Sequence, residues 1–426
     1  MPDPTTEDPS QRLSAARLVA QLGPGLVTGA ADDDPSGIAT YSQVGAQFGY
    51  SLAWTIPFSF PFLAAIHAIS ARIGSTTGQG IAQNLRRHYH PAILRVVVLL
   101  LLVANVINLG ADLGAMGAAL KLLIGGSQLA YTVSFGLLCV MLEVFISYVR
   151  YSAALKWTTL SLFAYVAVVF AAGVPWGMAL RGSVIPSFAF DTAHVTALVA
   201  ILGTTISPYL FFWQAGQEVE EQHRRHTKPL CIAPRNAGAE LRRIRTDTLI
   251  GMGFSHTVAL CIILATAATL HANGITDIET SAQAAEALRP VAGNFAFALF
   301  TIGIIGTGML AVPILAGSAA YAVSESFNWT EGLDRRPREA KAFYVTIAAA
   351  TLGGVALNFS SVDPIRALFW AALVNGVLAA PLMVVMMLIA TNGRIMGRLT
   401  LPTGLRIGGW AATGVMALST IALFVV

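Results

Sequence analysis

Asp32-Asp33-Asp34-Pro35-Ser36-Gly37 stands in the middle of the first apolar stretch of this 426-residue chain, a stretch that runs from about Leu18 to Phe48. Three carboxylates, a proline and a glycine are costly on an intact lipid-facing helix, because hydrocarbon offers no partner to a charge or to a freed backbone group. The helix is therefore expected to break here and turn its acid toward protein or water. A broken membrane helix that carries acid marks a candidate cation site.

Composition agrees with a membrane setting. The chain is 55% hydrophobic and only 11% charged, with a mean hydropathy of +0.67, values of an all-α polytopic membrane protein rather than of a soluble core. The balance of 26 Lys+Arg against 22 Asp+Glu contains no basic run of the kind that grips nucleic acid, so no nucleic-acid partner is expected. Cys139 and Cys261 lie in apolar stretches and Cys231 in a polar loop, none at metal or disulfide spacing. Residues 1–11 read as a polar, disordered cytoplasmic tail without the basic start and cleavage site of a secretory signal.

A window of about 20 residues gives eleven candidate spans, at 18–46, 51–72, 92–118, 130–149, 153–174, 194–219, 247–270, 291–323, 339–358, 364–390 and 404–426. Loop charge tests the count, since cytoplasmic loops carry the excess of Lys and Arg. With the amino terminus inside, only Lys121, Arg181, Arg289 and Arg366 fall in outer loops, and the groups around Arg86, Arg224 to Arg245, Arg335 to Lys341 and Arg394 all fall inside. Shifting the topology by one span would reverse nearly the whole bias. The carboxyl terminus is then outside, and the membrane is the inner or plasma membrane.

The sixth span repeats the oddity of the first. Gly203-Thr204-Thr205-Ile206-Ser207-Pro208-Tyr209 puts a proline and a run of hydroxyls inside an apolar helix, and a proline there removes a backbone donor and either kinks the helix or breaks it. Breaks in spans one and six are what two inverted five-helix repeats produce, with the unwound segments facing one another at the bilayer midplane. The repeats are placed at 12–174 and 192–390, and residues 391–426 add an eleventh helix outside them.

These residues also carry a resemblance. Gly23-Pro24-Gly25 leading into Asp34-Pro35-Ser36-Gly37-Ile38-Ala39-Thr40 resembles the first-helix signature of the Nramp divalent-metal transporters, in which Asp-Pro-Gly-Asn unwinds the helix. Asn108-Leu109-Gly110-Ala111-Asp112-Leu113 and Gly203 to Tyr209 extend the match over about Gly23 to Asn392. The resemblance implies a leucine-transporter-like (LeuT-like) 5+5 inverted repeat with helices 1 and 6 unwound and a metal site between them. In that family the metal is held by the first-helix aspartate and asparagine, a sixth-helix carbonyl and a methionine thioether. Aligned on the prolines, this chain keeps Asp34 but carries Gly37 for the asparagine, Thr204 at the carbonyl position and Ser207 for the methionine. Without a soft sulfur, carboxylate, carbonyl, hydroxyl and water favour a harder ion. The Nramp-related magnesium transporters are similar in lacking the methionine, but they keep the asparagine.

The proton-handling positions that the resemblance implies are thinned as well. Tyr209 and Gln214 stand where the family has histidines, and neither titrates near neutral pH when unperturbed. Asp112 matches the third-helix aspartate, but Ala115 replaces the acid one turn later, and the family's ninth-helix arginine pair has no clear counterpart near Phe343 and Tyr344. The usual proton coupling is not expected.

Other polar residues have plainer readings beside functional ones. Asp32 and Asp33 line a mouth or cap the half-helix that begins near Ser36, with capping favoured for at least one. Asp112 and Glu143 form a relay or a buried structural pair. His67 and His256 read as satisfied packing residues. Glu218, Glu220, Glu221, His223 and His226 are read as a solvated helix extension rather than a metal cluster. Asn375 lines the cavity or, the favoured reading, hydrogen-bonds a neighbouring helix, and Gly303, Gly306, Gly308 and Pro313 serve close helix packing.

No phosphate loop, nucleophile elbow or paired-histidine motif is present, and no enzyme activity or cofactor is expected. The expectation is a secondary transporter or facilitator of a divalent cation, Mn²⁺ or Mg²⁺, working by alternating access. Asp34 supplies the charge, helped by carbonyls around Asp33 and Thr204, by the hydroxyls of Thr205 and Ser207 and by water. The alternative keeps the fold and carries a small amine-bearing solute whose ammonium group pairs with Asp34.

Overall fold

A computed structural model describes residues 24–146, 161–333, 335–360 and 362–426. The expected tail at 1–11 and the start of the fifth span lie outside them. The described residues are helical throughout, without a strand. The first span is two helices, α1 (Pro24–Asp32) and α2 (Pro35–Phe48), followed by α3 (Thr55–Thr77), a short amphipathic α4 (Ile81–His88), α5 (Pro91–Ile124) and α6 (Gln128–Phe145). Beyond residue 160 come α7 (Phe163–Ala171), the short α8 (Trp176–Val184), and the sixth span as α9 (Thr192–Thr205) and α10 (Pro208–Arg224). Then follow α11 (Ala237–Thr269), the short α12 (Ser281–Glu286), α13 (Ala296–Phe327), α14 (Lys341–Leu357), α15 (Pro364–Thr391) and α16 (Thr403–Val425).

Among the described residues, eight helical segments are long and apolar enough to cross a membrane. The other three expected spans are the first, which the break splits into pieces of 9 and 14 residues, the ninth, whose helix has 17, and the partly described fifth.

Both breaks use the same local grammar. Pro35 and Pro208 each sit in the first helical turn, where a missing N–H costs nothing, and the residue before each is extended, Asp34 at φ −70°, ψ 171° and Ser207 at φ −70°, ψ 130°. The residues before a proline are pushed out of the helical region, so each helix stops and restarts within two residues. The expected half-helix start near Ser36 falls one residue earlier.

Small residues let the elements close around these breaks. α1 lies against α11 so tightly that a Cβ at Gly25 would stand 2.9 Å from Asp247 and one at Gly29 only 2.3 Å from the Gly251 backbone. This is the close approach that a pair of small residues one turn apart allows. Gly45 continues the seam on α2, where a Cβ would meet Thr266 Oγ1 at 2.0 Å. On α13, a Cβ at Gly308 would approach Met116 Sδ to 2.5 Å and Pro35 to 3.3 Å, so this glycine does serve packing, and it seats α13 against both α5 and the start of α2.

Candidate functional site

Asp34 is where the two breaks meet. As the N-cap of α2 its Oδ1 accepts the Gly37 N–H at 2.7 Å, which satisfies one of the orphan donors of the first turn. The cap is thus Asp34 itself, not Asp32 or Asp33. Its Oδ2 accepts from two other helices: the Tyr209 hydroxyl of α10 at 3.0 Å and the Asn108 side-chain amide of α5 at 3.2 Å. The side chain is only 2% exposed. Asn375 of α15 donates in turn to Asn108 Oδ1 at 3.4 Å, so it bonds a neighbouring helix as the favoured reading has it.

Gly37 faces the second break directly. A Cβ there would lie 3.2 Å from the Asp32 carbonyl and 3.3 Å from Thr204 Oγ1, a hydroxyl that is buried without a hydrogen-bond partner. The other hydroxyls of the sixth span turn back on their own helix. Thr205 donates to Ile201 O at 2.9 Å, and Ser207 reaches Gly203 O and Thr204 O, both at 2.9 Å. Ser207 thereby covers carbonyls left open at the end of α9.

The remaining expected residues divide. Asp112 lies beside the start of α2, close to the Ser36 amide, yet neither of its buried carboxyl oxygens has a partner of hydrogen-bond geometry. Glu143 likewise has two buried oxygens without a partner, and no contact pairs it with Asp112, so the two are not a structural pair. The Asp33 carboxyl turns away from the break toward Ser255 of α11 at 3.2 Å, and Asp32 accepts from the same hydroxyl at 2.7 Å. His67 is not a satisfied packing residue, because both of its buried ring nitrogens lack partners, whereas His256 has Ser59 at 3.2 Å on one side only.

Gln214 belongs to the end of the molecule where α1 begins. It accepts from Thr28 at 2.5 Å and lies 3.5 Å from Glu218, whose other oxygen meets Arg243 of α11 at 2.6 Å. Arg243 also holds Glu240 at 2.8 Å and faces Asp247 at 3.8 Å, and Asp247 accepts the Gly25 N–H of α1 at 2.8 Å. Glu218 and Glu220 are therefore not part of a solvated extension. Both are buried, Glu220 receiving the Tyr321 hydroxyl and the Leu333 N–H, whereas Glu221 pairs with Arg224 and Arg225 and the two histidines are exposed.

At the opposite end, a cavity of about 530 Å³ lies between α2, α9 and α15, lined by Gln43, Gln47, Thr196, Asp277, Arg366 and Trp370 among others. Its lining reaches Ala39, five residues along α2 from Asp34. The cavity stops short of the break, whose residues are buried, and at the other end the Arg243 cluster ties α1 to α10 and α11.

What the centre offers is the buried carboxylate of Asp34 with that of Asp112 beside the same turn, amide and hydroxyl oxygens, and two helix carboxyl ends, those of α1 and α9, whose dipoles favour positive charge. Among the described residues no three His, Cys, Asp or Glu side chains are grouped to hold a metal. Asn108 stands in the sequence within a motif that gives it no role of its own. Its signal, a polar side chain one turn before Asp112 in an apolar run, is legible only once Asp34 is seen to face it.

Comparison with known proteins fits this geometry. The chain is 25% identical over 425 residues to the divalent metal cation transporter MntH of Klebsiella pneumoniae strain 342, covering 96% of this chain and 95% of that one. Its fold matches a crystal structure of a mutant form of the Eremococcus coleocola manganese transporter, with TM-score 0.74 at 17% identity over 98% of this chain and 88% of the other. It also matches MhsT in complex with L-phenylalanine, with TM-score 0.66 at 12% identity over 93% and 98%. The architecture is therefore LeuT-like, with its first and sixth helices unwound at facing points. The model of the natural resistance-associated macrophage protein-like (Nramp) family matches residues 25–426, and the chain is a multi-pass membrane protein that belongs to that family.

Proposed function

We propose that this protein is a secondary transporter or facilitator of a divalent metal cation, with Mn²⁺ or Mg²⁺ as the favoured substrates and Asp34 as the residue that offers the charge. The observation that carries the reading is Asp34 itself: a buried carboxylate at the point where two broken helices face each other. Relatives named as divalent metal cation transporters support it. The absence of a thioether, with Ser207 in that position and its hydroxyl turned into the helix, argues for a hard ion bound by oxygen.

Transport proceeds by alternating access, one side of the site opening while the other is closed. The two five-helix repeats span 12–174 and 192–390, the eleven spans place the amino terminus in the cytoplasm and the carboxyl terminus outside, and the membrane is the inner or plasma membrane. Proton coupling by the family's usual route is not used, because Tyr209 and Gln214 stand in place of its histidines and are engaged with Asp34 and Thr28.

Isothermal titration of the purified protein with Mn²⁺, Mg²⁺ and a panel of primary amines tests the reading. Asp34→Ala removes the full charge from a low-dielectric site, and divalent binding is expected to fall by at least about a hundredfold. Ser207→Met should raise Cd²⁺ affinity relative to Mg²⁺. Undiminished metal binding by folded Asp34→Ala would place the site elsewhere, and heat from amines alone would favour the solute reading.

A further inference from the structure

Asp34 is fully occupied as it stands. Oδ1 is held by the Gly37 amide and Oδ2 by two donors, so a cation that takes Oδ2 has to displace the protons of Asn108 and Tyr209. Both donors have somewhere else to turn. The Tyr209 hydroxyl lies 3.3 Å from the Ala31 carbonyl as well as 3.0 Å from Asp34. The Asn108 amide is backed by a second amide, Asn375, at 3.4 Å. A side-chain amide reverses donor and acceptor by turning half a revolution about its last bond. If Asn108 and Asn375 turn together they stay hydrogen-bonded to each other with the roles exchanged, and Asn108 then presents its oxygen, rather than its NH₂, at the Asp34 carboxylate.

The spacing suits a shared cation. Two oxygens that ligate one ion at right angles stand roughly 2.8–3.0 Å apart for Mg²⁺ and roughly 3.3–3.7 Å apart for Ca²⁺. The Asn108 contact to Asp34 Oδ2, at 3.2 Å, lies between the two, within a few tenths of an ångström of either. The position of the family-type asparagine is Gly37, which has no side chain to offer, and a Cβ there would fit tightly, 3.2 Å from the Asp32 carbonyl and 3.3 Å from Thr204 Oγ1.

Resting on the reading of Asp34 as a divalent-cation site, we propose that Asn108 of α5 supplies the amide oxygen that Gly37 cannot. It coordinates the cation beside Asp34 after a paired turn of the Asn108 and Asn375 amides, while the Tyr209 hydroxyl swings to Ala31. The third helix thereby becomes part of the substrate shell. Substrate arrival is read by α5 and α15 together, since the turn of one amide requires the turn of the other.

The test uses the full chain in proteoliposomes with Mn²⁺, Mg²⁺ and Cd²⁺ as probes, comparing the wild type with Asn108→Leu, Asn108→Met and Asp34→Ala. Asn108→Leu removes the oxygen at similar volume and should weaken Mn²⁺ and Mg²⁺ by about tenfold or more. Asn108→Met places a thioether in the shell and should raise the Cd²⁺ to Mg²⁺ ratio about tenfold above Asn108→Leu. A supporting role outside the shell would leave that ratio the same in the two variants, since neither then touches the ion, and equal ratios overturn the proposal. Retained Mn²⁺ and Mg²⁺ affinity in Asn108→Leu overturns it too. If the wild type binds none of the three ions, or if Asp34→Ala binds them as well as the wild type does, it is the cation-site reading that fails. Thermal melting of each variant in detergent separates loss of binding from loss of fold.

Discussion

Glu331 shows at the scale of one residue how burial of a charge becomes a pH dependence. It lies in the loop between α13 and α14, and burial, with the Glu325 and Glu220 carboxylates nearby adding to it, pushes its acid up to about 10 from an ordinary value of 4.5. A carboxyl whose folded value is raised takes up a proton on folding. Its destabilising effect is absent below the unfolded value and grows as pH rises from about 4.5 toward 10. Glu331→Gln keeps the shape and removes the ionisation, so it should raise the melting temperature at pH 8 by on the order of 2 °C and change it little at pH 4.5. Equal melting curves at pH 8 would mean that the loop opens to water around Glu331. Asp34 is the contrasting case, since its burial is answered by three donors.

At the scale of elements, α1 is held by two different devices. One is the seam of Gly25 and Gly29 against Asp247 and Gly251; the other is polar, Arg243 joining Glu218 of α10 to Asp247, which caps the start of α1 through the Gly25 amide. Any movement of α1 away from α10 and α11 has to part both. Arg243→Ala removes only the polar device and leaves two buried carboxylates without their cation, a loss that is costly in a buried network. In this background Thr28→Cys, buried beneath Gln214, should be labelled from the cytoplasmic face at least about tenfold faster. Unchanged labelling would show that the glycine seam alone holds α1 closed.

At the scale of the whole molecule, the orientation in the bilayer is open to a direct measurement. Cys231 is exposed and lies in the loop between α10 and α11 that carries the largest basic group, whereas Cys139 is buried and Cys261 only partly exposed. A membrane-impermeant maleimide should label inside-out vesicles and not intact cells, and Cys231→Ser should remove that labelling. Labelling of intact cells at Cys231 would invert the eleven-span topology. The cavity beside Gln43 and Trp370 and the Arg243 cluster lie at opposite ends of the broken helices.

The sequence by itself determined the elements. Hydropathy showed where the long helices run, and at Pro35 and Pro208 a proline joined to acids or to a run of hydroxyls showed where two of them break; proline alone does not, since Pro61, Pro313 and Pro381 stand inside unbroken helices. It also singled out Asp34, whose place at the break is a matter of adjacency along the chain. What only the tertiary structure decided is which polar groups share a space. Asn108 and Asn375 are separated by 267 positions, Asp34 and Tyr209 by 175, and nothing in a span's composition tells which face of it another helix will cover. The same holds for Asp32, Asp33, Glu218 and Glu220: local context makes each a cap or a solvated charge, and only the arrival of Ser255, Arg243 and Tyr321 from other helices gives them buried partners. Helix breaks are written in neighbouring residues; a binding shell is assembled from residues that only packing brings together.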